Sequence, residues 1–181
     1  MTALLLCLPA AALGWVVFTR WETGYNARRI AADGPANSLR AGFHAGRLLV
    51  RATVAGLLTT GGAWPTAGLA FWLLLAGQLA GFAGFFLWYF NPRLNRLRGL
   101  APDYVSSSPT TAWLDRTLYA RAVAAVPRGP WNDAELAQQR ADYAAGLLRH
   151  LLTACLLAGL ALYGLALVAG LLLSHQLIMS N

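Results

Sequence analysis

The chain has 181 residues, and charged residues make up only 12% of them. Soluble domains carry about 25% charged residues, so this composition, together with a mean hydropathy of +0.50, indicates a protein that resides in lipid. All 14 basic residues are arginines, and the formal net charge is +7. A nucleic-acid partner is not expected, because the arginines lie in the stretches between hydrophobic runs, as the positive-inside rule of membrane proteins requires.

The hydrophobic runs predict an all-α integral membrane protein with four transmembrane helices. The predicted crossings are apolar runs whose length as helices equals or approaches the thickness of a bilayer. They cover residues 3–19, 48–60, 66–90 and 150–173. Glycine and proline at 61–65 predict a short outer turn. Because so short a connection makes its two helices antiparallel neighbours, the second and third crossings form a central hairpin.

Two inside segments and an outer tail complete the predicted chain: residues 20–47, 91–149 and 174–181. Asp33-Gly34-Pro35 predicts the end of the first helix, and Asn91-Pro92 predicts the end of the third. An amphipathic helix over 109–126 is expected on the membrane surface or in the cytoplasm. Asn132 is predicted to cap helix 133–149, which continues without a breaker into the fourth crossing.

Arginine placement predicts the orientation. The protein is expected in the inner membrane of a bacterium. Since arginine-rich loops stay in the cytoplasm, both termini are expected on the outer side of that membrane. Aromatic side chains near the helix ends are expected to anchor the protein at the inner interface. The anchors are Trp21, Trp88 and Tyr89.

The inner ends of the crossings carry the candidate binding residues. Spacings of four, three and four residues place one group of basic side chains on a single helical stripe, and a second group follows the third crossing. A stripe of this kind indicates a site for an anionic lipid or a partner carboxylate, or side chains that only extend to the interface. The residues are Arg40, His44, Arg47, Arg51, Arg93, Arg96 and Arg98.

Small and polar residues inside the crossings suggest two further roles. Gly77, Gly81 and Gly84 share a face at which another helix could approach closely. Gln78 and Tyr163 lie about midway through their helices and are expected to hydrogen-bond to each other. In the alternative interpretation, polar residues line a path through an oligomer. In that interpretation Gln78 lines the path together with Thr53 and Thr60, and Tyr163 is not part of it.

No residues have the spacing of a catalytic, metal or cofactor site. Cys7 and Cys155 lie in hydrophobic runs without a nearby histidine partner, so metal binding is not expected. The run from Asn91 to Leu100, with Asp103-Tyr104-Val105 after it, resembles small membrane proteins of bacteria and their prophages. That resemblance implies no particular activity.

Three functions are therefore considered. The first is a non-enzymatic protein that packs with itself or with other membrane proteins in a larger complex. The second is a small homo-oligomeric channel or holin-like pore. The third is a membrane enzyme that holds lipid phosphate with its arginines.

Overall fold

The computed structural model describes residues 2–38, 41–63, 66, 68–107 and 113–179, without the side chains of residues 2, 4, 5, 33–38, 41–46, 174 and 177–179. The regular structure of the described part is all helical, without a strand, which confirms the all-α part of the prediction. Its helices are α1 Thr2–Ser38, α2 Ala41–Ala63, α3 Gly68–Leu97, α4 Trp113–Ala125 and α5 Asp133–Met179.

Within the described residues, two helices are long and apolar enough to cross a membrane. They are α3 over Gly68–Leu97 and α5 over Asp133–Leu173. In their most apolar stretches, 39% of the α3 residues and 11% of the α5 residues are buried by the rest of the chain. Neither value is that of an enclosed core helix, so the structure favours membrane association. The four-crossing architecture is not confirmed by this criterion.

The first helix is longer than predicted. It continues through Asp33-Gly34-Pro35 and ends at Ser38, so the predicted break is wrong. A proline removes one backbone hydrogen bond and strains the preceding turn. The other hydrogen bonds of a 37-residue helix remain available to hold the chain in register. The predicted caps at Asn37 and Ser38 involve side chains outside the described set.

The third helix also passes its predicted end. Pro92 lies inside α3, which stops at Leu97. The stop comes from Gly99, whose φ of 74° is a conformation that favours glycine. Its N–H bonds the Arg96 carbonyl at 3.0 Å, and the N–H of Leu100 bonds the Asn95 carbonyl at 2.9 Å. This pair of hydrogen bonds is a Schellman motif, which ends the helix where a proline alone did not.

The predicted outer turn is partly helical. Gly61 and Gly62 belong to the last turn of α2, which ends at Ala63. The N–H and the hydroxyl of Thr66 both donate to the Ala63 carbonyl, at 3.0 and 2.8 Å. The rest of the predicted turn, Trp64-Pro65, lies outside the described residues.

The fifth helix runs without a break from Asp133 to Met179, and so includes part of the predicted tail. Asn132 caps it: its side-chain oxygen accepts the N–H of Glu135 at 2.9 Å, and Glu135 accepts the N–H of Asn132 at 3.1 Å. This reciprocal pair is a capping box. The predicted helix 109–126 appears as α4 from Trp113, and its expected start lies in the undescribed stretch.

Four helices form an antiparallel bundle in which α3 has the most contacts with its neighbours. Leu8 and Leu74 share one apolar cluster, and further along both helices Trp15 packs on Phe82, so α1 and α3 run in the same direction. Helices α2 and α5 run in the opposite direction. The most extensive interface joins α3 to α5, not α2 to α3, so the predicted hairpin is not the centre of the packing.

A second, smaller core lies where α4 packs on the polar half of α5. It is formed by Val105, Leu118, Ala122, Ala144, Leu148 and Leu152. The loop before α4 is held by Asn95, whose side-chain nitrogen donates to the carbonyls of Pro102 and Tyr104 at 3.3 and 3.2 Å. These contacts attach α4 to the bundle beside the C-terminal end of α3.

Candidate functional site

One face of α1 carries four buried polar side chains. Thr19, Glu22, Thr23 and Asn26 are spaced by three, one and three residues, which places them on one side of a helix. The two threonines use their own helix as partner: Thr19 donates to the Trp15 carbonyl at 2.7 Å and Thr23 to the Thr19 carbonyl at 2.6 Å. Their hydroxyls are therefore satisfied. Nδ2 of Asn26 likewise donates within α1, to the Glu22 carbonyl at 2.7 Å, so the carboxylate of Glu22 is the group that remains to interact with another helix.

Glu22 is fully buried and is surrounded by donors. Its Oε1 accepts hydrogen bonds from Nε of Arg47 at 3.1 Å and from Nε of Arg51 at 3.0 Å. Nδ2 of Asn26 donates to the same oxygen at 2.9 Å. The other oxygen, Oε2, forms an ion pair with Nη2 of Arg47. Arg47 therefore binds the two carboxylate oxygens through Nε and Nη2, which form one edge of its guanidinium, in the bidentate arrangement common for this pair.

Aromatic rings lie against both guanidinium groups. The Cζ of Arg47 is 4.5 Å from the ring centroid of Tyr25 and 5.4 Å from that of Trp21. The Cζ of Arg51 is 4.8 Å from the ring centroid of Phe90 and 5.1 Å from that of Phe86. A guanidinium is weakly hydrated and stacks well on rings, so these contacts compensate part of the water it has lost.

The three charged residues form what we call the Glu–Arg cluster: Glu22, Arg47 and Arg51. It joins α1 to α2 and carries one more positive than negative charge. Burial lowers the pKa of the Arg47 guanidinium, and the neighbouring charge of Arg51 lowers it further. Arginine nevertheless stays protonated in proteins, so the excess charge persists at neutral pH.

A second polar contact joins α2 to α3. Gln78 is fully buried, and its side-chain nitrogen donates to the Thr59 carbonyl at 3.3 Å. Its Oε1 has no hydrogen-bond partner, and a Cβ at Gly62 would lie 2.2 Å from that oxygen. The predicted bond between Gln78 and Tyr163 is not formed, because the ring of Tyr163 packs edge-on against Trp15 instead. The rotation of α3 turns the amide toward α2.

The glycines of α3 lie against α5. A Cβ at Gly77 would be 2.3 Å from Ala166, and one at Gly84 would be 2.4 Å from the Cys155 carbonyl oxygen. At Gly81 the nearest atom is in Tyr163, at 3.2 Å. The close approach predicted for this face therefore takes place within the chain.

The other predicted site residues do not gather at the cluster. Arg93, Arg96 and Arg98 are exposed on the last turns of α3 and just beyond them. Thr53 and Thr60 are exposed on the outer surface of α2, away from the buried Gln78. Trp88 is exposed, and Tyr89 stacks on Phe85. Arg40 and the side chain of His44 lie outside the described residues.

Glu22 is the residue that sequence reasoning missed. Before Asp103 the chain has only two acids, Glu22 and Asp33. An acid directly after a hydrophobic run, with Thr19, Thr23 and Asn26 at helical spacing, is a signal for a polar face directed at another helix. Arg47 and Arg51, four residues apart on the next helix, are the positive side chains with which such an acid could pair.

No protein-family model matches the chain, and no curated protein or solved structure matches it. The likeness of Asn91–Leu100 to bacterial and prophage membrane proteins thus gains no support from these comparisons. Within the described part of the chain, no three His, Cys, Asp or Glu side chains lie close enough to hold a metal ion together.

Proposed function

We propose that this chain is a polytopic protein of the bacterial inner membrane that crosses the bilayer four times and acts by packing with other membrane chains. In this proposal it is not an enzyme. The observation that carries the proposal is the common depth of the four bundle helices, of which two are apolar enough to span by themselves.

The depth follows from contacts along α3. From Gly68 to Phe90, α3 rises by about 33 Å, close to the ~30 Å of a hydrocarbon core. Leu8 of α1 lies near the start of this span, in the cluster that contains Leu74, and Arg51 of α2 lies on Phe90 at its other end. If α3 crosses the bilayer, α1 and α2 occupy the same slab and cross with it.

The outward faces of the bundle support a lipid surround. Large apolar side chains are exposed on each of the four helices, including Leu13, Leu57, Trp72 and Leu165. In water, such a belt would be a severe solubility problem, whereas in lipid it is the expected surface. Both termini are then outside, since the arginine-rich ends of the helices lie inside.

Two glycines support packing with a further chain. A Cβ at Gly56 of α2 or at Gly164 of α5 would meet no atom within 4 Å. These positions therefore offer bare helix backbone on the outer surface, where a neighbouring helix can approach closely. The glycines facing α5 from α3, in contrast, are already occupied.

Topology is tested with reporters active on one side of the membrane, fused after Asn181 and after Leu100. We expect a periplasmic signal from the first fusion and a cytoplasmic signal from the second. A cytoplasmic signal from both fusions would contradict the four-crossing arrangement.

Packing is tested by the mass of the purified protein in a mild detergent. We expect an oligomer that Gly56→Leu shifts toward smaller species, because the added side chain starts from a Cβ that meets no neighbouring helix and blocks the outer face. Gly146→Leu is the matched control, since its Cβ is equally unobstructed but lies in the polar half of α5. A wild-type protein that is monomeric, with no partner retained on purification, would contradict the proposal.

A channel is the second candidate, favoured by one observation. Thr53 and Thr60 are exposed and seven residues apart, so they lie on the same face of α2 and could line a path between copies. Flux through liposomes should then fall in Thr53→Val with Thr60→Val and persist in Gln78→Leu, whose side chain is buried inside the chain. Absence of wild-type flux would exclude a channel.

A further inference from the structure

The two arginines of the Glu–Arg cluster are used differently. Arg47 donates to Glu22 through Nε and pairs with it through Nη2. Among the described residues, only Glu22 accepts a hydrogen bond from Arg51, and it does so through Nε at 3.0 Å. The Arg51 side chain keeps 30% of its surface exposed, against 12% for Arg47. Its two terminal amino groups are therefore the part of the cluster open to a ligand.

The charge of the cluster points to the kind of ligand. Glu22 is the only acid paired with these two arginines in the described structure, and it already accepts from Asn26 as well. A second anion is needed to neutralise the cluster. Desolvated positive charge at the edge of a bilayer is costly unless it is paired, so that anion should come from the surroundings.

We propose that Arg51 binds a phosphate group at the inner surface of the membrane, with Phe86 and Phe90 holding the guanidinium plane and Glu22 fixing its direction. This inference rests on the membrane location proposed above. The planar fork of arginine matches two phosphate oxygens, and stacking on rings lowers the cost of ordering the side chain. The phosphate belongs to a lipid headgroup or is free in the cytoplasm.

The depth favours the lipid headgroup as the source. Glu22 lies about 30 Å along α1 from Thr2, and Phe90 lies about 33 Å along α3 from Gly68, so the cluster is at the inner boundary of the hydrocarbon core. Headgroup phosphates lie at that level. The exposed arginines Arg93 and Arg96 on the following turns of α3 raise the local positive potential that attracts anionic lipids.

The experiment is a lipid titration of the purified full-length protein in detergent, followed by native mass spectrometry. Phosphatidylglycerol, phosphatidylcholine and diacylglycerol, which lacks phosphate, are compared. We expect phosphatidylglycerol to bind and diacylglycerol not to bind. Arg51→Gln should weaken phosphatidylglycerol binding by about tenfold or more, since a hydrogen bond to a charged group is lost.

Arg51→Gln leaves Glu22 paired with Arg47 and Asn26, so we expect the variant to fold, as helical content and the melting temperature will show. Arg51→Lys is the second variant: it keeps the charge but loses the fork, and should weaken binding by several-fold. Arg28→Gln, which removes an exposed arginine further along α1, is the matched control and should bind as the wild type does.

Inorganic phosphate distinguishes the two sources. If phosphate alone raises the melting temperature of the wild type but not of Arg51→Gln, and phosphatidylglycerol adds nothing, the ligand is free phosphate. Equal phosphatidylglycerol binding by the wild type, Arg51→Gln and Arg51→Lys would overturn the proposal, as would equal binding of diacylglycerol. Bound lipid is counted per chain whatever the oligomeric state, so a failure here is distinct from a failure to oligomerise.

Discussion

The Glu–Arg cluster and the α3–α5 interface hold the same bundle together by different physics. The cluster between α1 and α2 concentrates its stabilisation in a few charged atoms around the carboxylate of Glu22. Between α3 and α5 the backbones approach so closely at Gly84 and Gly159 that a Cβ at either would lie within 2.5 Å of a carbonyl oxygen of the opposite helix. The first interface depends on charged side chains, and the second depends on the absence of side chains at its glycines.

This difference predicts how each interface fails. A buried ion pair contributes little net stability compared with apolar packing, but removing one member leaves an uncompensated charge and is costly. A glycine interface contributes many small dispersion contacts, and it loses them together when one added atom forces the helices apart. Substitutions at the two interfaces should therefore differ in how much they lower the free energy of unfolding and in which second substitution restores it.

The largest effect is expected from Glu22→Gln, which breaks the charged interface. Two arginines would then face a neutral amide in a buried place, and we expect the free energy of unfolding in detergent to fall by about 3–5 kcal/mol. Asp142→Asn, at an exposed acid of α5, is the matched control: its side chain only accepts a hydrogen bond from Gln138, which an amide oxygen can also accept, so it should unfold as the wild type does. An unchanged melting temperature in Glu22→Gln would show that the cluster is not buried as described.

Replacing the whole cluster tests whether the loss of stability in Glu22→Gln comes from unpaired charge. The triple variant Glu22→Leu, Arg47→Met and Arg51→Leu removes charges of both signs together. We expect it to unfold much closer to the wild type than Glu22→Gln does, because no charge is left without a partner. If the triple variant is the less stable of the two, the ion pairs themselves stabilise the bundle.

The next effect is expected from Gly84→Ala, which breaks the glycine interface. Its Cβ would lie 2.4 Å from the Cys155 carbonyl oxygen, and a helix backbone cannot move aside alone. Overpacking of this kind costs about 1–3 kcal/mol. Gly164→Ala, where the Cβ meets no atom within 4 Å, is the matched control and should be neutral or slightly stabilising, since alanine favours a helix. Equal melting temperatures for the two variants would argue against close approach of α3 and α5.

A smaller effect is expected at the contact between α2 and α3, where a glycine, Gly62, lies against a buried polar side chain, Gln78. Gly62→Ala should cost about 1–2 kcal/mol, because the new methyl group displaces the amide that bonds the Thr59 carbonyl. Removing the amide as well, in Gly62→Ala with Gln78→Ala, frees that space. Double-mutant analysis of unfolding should then give a non-additive result, whereas additive losses would mean that the two residues do not touch.

The smallest effect is expected outside both interfaces, at the capping box of α5. Asn132→Ala should cost about 1 kcal/mol locally and speed amide exchange of the first turn of α5 by about fivefold. The bundle should be unaffected. Arg128→Ala, which removes an exposed ion pair to Asp133, is the control and should leave exchange unchanged.

Local features were largely readable from the sequence. The capping residue Asn132, the unbroken helix after it and the all-helical class each depend on side chains within a few positions of one another, and such interactions survive in any tertiary arrangement. The small-residue face of α3 was readable for the same reason. Its partner was not, because the pattern of Gly77 and Gly84 does not say which helix fills it.

Two predictions were wrong because a single local pattern did not decide the structure: the end of α3 and the partner of Gln78. Pro92 suggested a stop for α3, but the helix continues to Leu97, and the backbone conformation of Gly99 beyond it completes the Schellman motif. Gln78 and Tyr163 lie at comparable depths, yet rotation of α3 directs the amide to Thr59. Depth along a helix follows from counting residues, whereas rotation about its axis is set by the sum of its packing contacts.

Composition and patterning were sufficient to identify a helical, lipid-suited chain whose arginines gather at one end of its apolar runs. They were sufficient because hydrophobicity and charge placement are properties of single residues and short windows. The pairing of Glu22 with Arg47 and Arg51 required the folded bundle, because those residues are 25 and 29 positions apart and meet only when α1 and α2 lie antiparallel. The same folding leaves the Arg51 side chain partly exposed, with only its Nε bonded to Glu22, which no spacing along the chain could have shown.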